Sequence, residues 1–110
     1  MTIKETEVGK TFRYATTFDM SSSTALDLIF TDPLGASSTI SDPRVTAPAV
    51  EVTDPTLGVL PASTYMEFTT LATDFTTPGT WRVEGKYTDA TPKLFYGDVA
   101  TFTVGDVEAV

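Results

Sequence analysis

The chain has 110 residues, no cysteine, no histidine and a formal net charge of −8 from 15 acidic and 7 basic side chains. Without cysteine there are no disulfides and no thiolate metal sites; without histidine the usual general base, zinc ligand and pH switch are gone. The acidity argues against nucleic acid as a partner. Phosphate binding needs clustered Lys and Arg, and Lys4, Lys10, Arg13, Arg44, Arg82, Lys86 and Lys93 are scattered.

The length suits one domain spanning residues 1–110, with enough chain for a real core. The opening residues, Met1 to Glu7, are polar and lack the apolar stretch of a signal peptide. No run approaches a membrane span. Threonine occupies 22 positions, and its branched Cβ favours strands over helix interiors. Seven prolines from Pro33 to Pro92 break up the chain, and no window of ten residues shows helical apolar spacing.

In chain order, Phe12, Tyr14, Thr16 and Phe18 alternate with Arg13, Ala15 and Thr17, which predicts a first strand with one apolar face. Leu26, Leu28 and Phe30 predict a second. Asp32-Pro33-Leu34-Gly35 reads as a tight turn into a third strand through Ser38, Thr39 and Ile40. Ser41-Asp42-Pro43 and Thr53-Asp54-Pro55 read as strand ends, with a short edge strand between them through Val45, Val50 and Val52, blunted by Pro48. Residues 55–63 read as loop. Tyr65 to Thr69 alternates again, and Asp74 to Gly79 punctuates. Thr80 to Tyr87 is the clearest strand, with Trp81, Val83 and Tyr87 on one face and Arg82, Glu84 and Lys86 on the other. A turn at Asp89-Ala90-Thr91-Pro92 precedes a last strand from Val99 to Val104, with Ala100, Phe102 and Val104 inward. Six to eight short strands without crossover helices predict an antiparallel, immunoglobulin-like β-sandwich. Its predicted core is Phe12, Tyr14, Leu26, Leu28, Phe30, Phe68, Trp81, Val83, Phe102 and Val104, with Met20, Met66 and the other Phe residues also read as core.

No catalytic, cofactor-binding or metal-binding residue is assigned, and the chain reads as non-enzymatic. The serines at 21–23, 37, 38, 41 and 63 have no histidine to activate them. Fifteen acids offer close pairs, but a glycosidase needs two facing each other across a cleft, for which a small sandwich has little room. Asp89, Asp98, Asp106 and Glu108 could meet at one end of the sandwich and offer oxygens to calcium, although no Asp-rich calcium loop motif is present. An exposed Trp81 would be an interface anchor or a sugar platform; its alternation with Val83 favours the core. The hydroxyls of Tyr14, Tyr65 and Tyr96 are candidates to face outward.

The stretch Pro78-Gly79-Thr80-Trp81-Arg82-Val83-Glu84-Gly85-Lys86-Tyr87 resembles small immunoglobulin-like phage virion proteins akin to the N-terminal domain of the lactococcal phage upper baseplate protein. Val8 to Phe12, Phe18 to Ser21, Thr24 to Leu26 and the Asp32–Gly35 turn fit the same pattern, as does the closing strand from Tyr96 to Val104. The resemblance spans about residues 8–104, and residues 42–63 depart from it by being longer and richer in proline. It implies a virion structural protein, made in the host cytoplasm, that binds other virion proteins in tail, baseplate or fibre attachment. A homo-oligomer or symmetric array is the implied assembly, with neither nucleic acid nor membrane as partner. The alternatives are a capsid cement protein and a carbohydrate- or receptor-binding module; the latter would need an exposed platform from Trp81, Tyr87 and Tyr96.

Contact with neighbouring subunits is expected from residues 1–8, 42–63 and 104–110, without which the predicted sandwich is already complete. The 42–63 stretch combines Val45, Val50, Val52, Leu57, Val59 and Leu60, all expected to be exposed, with four prolines, a composition suited to pairing along a neighbour's sheet edge.

Overall fold

A computed structural model describes residues 2–4, 6–16, 18–91 and 93–105. The described chain is all β, with strands β1 (Thr2–Lys4), β2 (Thr11–Ala15), β3 (Ser23–Thr31), β4 (Ser37–Ser41) and β5 (Val52–Asp54) in its first half. The second half adds β6 (Gly58–Leu60), β7 (Tyr65–Thr69), β8 (Gly79–Asp89), β9 (Leu94–Tyr96) and β10 (Ala100–Gly105). The large sheet has the order β1-β10-β8-β3-β4, with β9 pairing the far end of β8; β2 and β7 form a small sheet, and β5 and β6 a hairpin.

The two sheets face each other across an aromatic core. Phe12 of the small sheet meets Phe30 and Phe102 of the large sheet at ring-centroid distances of 5.4 and 5.0 Å, both edge-on. This geometry sets the positive edge of one ring against the negative face of the other. All ten predicted core residues are buried, together with Met20 and Met66. The alternation that predicted them follows from the pleat: β8 buries Trp81, Val83 and Tyr87 and turns Arg82, Glu84 and Lys86 outward.

Ten strands are described, against six to eight expected, because β1, β5, β6 and β9 have three residues each. Nor is the pairing wholly antiparallel: β1 runs parallel to β10, with Ile3 opposite Val104. Ile3 is fully buried, so this part of the expected 1–8 contact segment belongs to the domain's own sheet. The first strand ends at Ala15 rather than running on through Phe18, which is 36% exposed; Thr17 lies outside the described residues. The edge strand expected through Val45, Val50 and Val52 is displaced to β5, and the expected 55–63 loop contains β6.

The 42–63 stretch folds back onto the small sheet, pairing the edge of β7 at Thr46 and adding Val45 to the core. Thr46 bridges Glu67 of β7, the Ser63 N–H donates to the Pro48 carbonyl, and the Tyr65 hydroxyl donates to the Val50 carbonyl at 2.9 Å. Val45 and Leu60, expected to be exposed, are buried, whereas Val50 and Val59 stay in solvent. The Asp32–Gly35 turn forms as expected: the Gly35 N–H donates to the Asp32 carbonyl, and the Asp32 carboxylate accepts from the Leu34 and Ala36 N–H groups.

Candidate functional site

The polar groups of the small sheet are tied down locally. Arg13 of β2 donates through Nε to Glu67 at 3.0 Å and through Nη1 to Asp54 at 3.2 Å. Burial alone would raise the Asp54 carboxyl, but the Leu57 and Thr56 N–H groups and Arg13 outweigh it and hold the group below its ordinary range. Arg44 grips Asp74 with two bonds of 3.0 and 2.7 Å. Lys86 pairs with Asp27 at 3.7 Å. The cations named here neutralise neighbours instead of forming a basic patch.

The acids considered for calcium do not converge among the described residues. Asp89 Oδ1 is already engaged, accepting from the Thr91 hydroxyl at 2.6 Å and from the Thr91 and Lys93 N–H groups. These bonds hold its carboxyl below its usual range and close the β8–β9 turn. Asp98 lies elsewhere, with its carbonyl accepting from Tyr14, and Asp106 and Glu108 lie outside the described residues. No group of three or more metal-ligating side chains occurs among the described residues.

Most aromatic side chains among the described residues are buried, Phe18 and Tyr96 being the exposed ones. Trp81 is buried and donates from Nε1 to the Thr77 carbonyl at 2.8 Å; Tyr87 is buried and stacks on Phe95 at 4.8 Å. The Tyr14 and Tyr65 hydroxyls, candidates to face outward, instead bond backbone carbonyls, and burial pushes both phenols up. Tyr96 is 53% exposed.

The flank of the sandwich between β2 and the start of β10 is hollow. Phe12, Tyr14, Val83, Ala100 and Phe102 line a cavity of about 190 Å³ there, with Leu57 of the β5–β6 turn at its rim. Ala100 was expected inward, and its register opposite the buried Val83 does set it on the inner side. It is nevertheless exposed, because no described strand closes this flank.

Hydrogen-bond phase shows what the flank offers. The Lys10 carbonyl accepts from the Thr70 N–H and the Thr16 N–H donates to the Thr64 carbonyl, bracketing the β2–β7 ladder at both ends. In an antiparallel ladder bonded and non-bonded pairs alternate, so Phe12 and Tyr14 bond to β7. The N–H and C=O groups of Thr11, Arg13 and Ala15 therefore point away from β7, along the open edge. Across the cavity, the Gly85 carbonyl accepts from the Gly97 N–H, which sets the phase of β8. Val83 and Trp81 then bond Ala100 and Phe102, and Thr101 points its backbone outward, below the point where β1 begins to pair at Thr103.

A second surface lies on the outer face of the large sheet. Because Phe95 packs inward on Tyr87, its neighbours Leu94 and Tyr96 face out, 50% and 53% exposed. Val99, 56% exposed, lines a shallow depression of about 170 Å³ with Ile29, Arg82 and Glu84. Sequence reasoning named Tyr96 as a candidate to face outward but neither surface as a whole, since neither an unpaired edge nor a sheet's outer face has a residue motif.

No family model, curated protein or solved structure matches this chain.

Proposed function

We propose that this chain is a non-enzymatic subunit of a bacteriophage particle, made in the host cytoplasm, that binds neighbouring virion proteins in the tail, baseplate or fibre-attachment region. The resemblance over about residues 8–104 supports the reading. So does the partition of strands into β2–β7 against β3–β8–β10, the division of an immunoglobulin-like sandwich.

The observation that carries a binding role is the outward placement of Leu94, Tyr96 and Val99 on a sheet whose other face already holds the core. Apolar side chains gathered on an outer face mark a contact surface. A carbohydrate platform is disfavoured, because Trp81 and Tyr87 lie inside and leave Tyr96 as the exposed member of the trio.

Mass spectrometry of purified particles, with antibody-fragment labelling in electron micrographs, tests the reading. The expected result is a fixed copy number and label at the tail or its tip. Label on the capsid would replace this placement by the cement-protein alternative, and absence from the particle would overturn the virion reading.

A further inference from the structure

We propose that the open flank between β2 and β10 is a strand-acceptor groove that takes an extended segment of a partner protein, apolar at alternate positions and basic between them. The inference deepens the reading of the chain as a subunit-binding domain and rests on it. Its test needs no particle, so the two can fail separately.

Three observations specify the occupant. The edge of β2 presents the outward N–H and C=O groups of Thr11, Arg13 and Ala15, a row that only another extended backbone can pair as a whole. Natural edges are usually guarded by charges, proline or a bulge. Here the single charge, Arg13, is turned aside onto Asp54 and Glu67.

The space beside that edge is apolar. A strand added to β2 would direct alternate side chains into the cavity between Phe12, Val83 and Phe102. A volume of about 190 Å³ suits small aliphatic groups such as valine and not a row of aromatics. Ala100, already on the inner side yet exposed, is the floor such groups would cover.

The alternate, outward side chains would lie near Glu67, which shares Arg13 with the buried Asp54, with Asp98 at the lower end, on a chain of net charge −8. Basic residues complement that rim; acidic ones would be repelled.

The test is titration of the full chain with a synthetic peptide of alternating valine and lysine, followed by backbone amide chemical shifts. Thr11, Arg13, Ala15 and Thr101 are expected to shift most. Ala15→Pro removes an outward N–H without removing a β2–β7 bond, and Ala100→Phe plugs the cavity from an exposed position. Each is expected to weaken binding by about tenfold or more, while the melting midpoint, followed through Trp81 fluorescence, moves little. Absence of binding, or equal binding by both variants, would overturn the groove. Equal binding of a valine–aspartate peptide would overturn the basic occupant. Self-association that rises with concentration and is abolished by Ala15→Pro would assign the groove to a second copy of this chain and overturn the partner proposed here.

Discussion

Tyr14 crosses the core from β2 and reaches the Asp98 carbonyl beside the large sheet. Its ring lies where a Cβ at Gly85 would stand and its hydroxyl where one at Gly97 would, so both positions require glycine for a steric reason rather than a conformational one. Gly85→Ala should lower stability by about 1–3 kcal/mol, the usual range for overpacking; an unchanged melting midpoint would show that Tyr14 can withdraw. Trp81→Ala should cost about 3–5 kcal/mol, a large share of the roughly 5–15 kcal/mol typical of a domain, and a shift of a degree or two would remove Trp81 from the core. Asp54 gives the pH dependence. Its folded-state pKa lies below the unfolded value of about 3.9. The stability it contributes is therefore present in full above that value and lost as pH falls through the lowered folded value. Asp54→Asn should cost about 1–3 kcal/mol at neutral pH and flatten the acid limb of a melting-midpoint profile. Parallel profiles for the two proteins would exclude Asp54 as its source. These roles were illegible in the sequence, because they depend on which strands meet: Asp54 read only as a strand end, and Gly85 as one residue of a well-patterned strand.

The strands differ in how plainly the sequence announced them. β3 and β8 are 9 and 11 residues long, enough for alternation to repeat and identify the buried face. The short strands β1, β5, β6 and β9 give a period of two no room to show. Phe75 was read as core from its residue type alone, since no strand pattern marks it. It lies in an irregular segment, yet it is 2% exposed and meets the rings of Phe12, Phe30, Phe68, Trp81 and Phe102. Alternation cannot flag a residue outside a strand. At this scale the account predicts that β1 is part of the fold. Ile3→Ala should destabilise the isolated protein by about 2–5 kcal/mol, and deletion of residues 1–7 should lower its thermal midpoint sharply. A deletion variant that melts like the parent would restore the contact-arm role first expected of residues 1–8.

The whole molecule is a sandwich closed over most of its length and open along one flank. The fold class was legible because sandwich physics is local: alternating faces, turn residues and the lack of helical spacing appear in any short window. The flank was not, because an absent neighbour leaves no mark on the residues that lack it. Arg13 and Ala15 look like any outward strand positions, and Ala100 like any inward one. The account rests on that flank being an unsatisfied strand edge, and amide hydrogen exchange of the isolated chain reads it most directly. Phe12 and Tyr14, bonded to β7, should be protected, while Thr11, Arg13 and Ala15 between them exchange at rates close to those of unstructured peptide. Uniform protection along β2 would mean that the edge is already paired and would contradict the account.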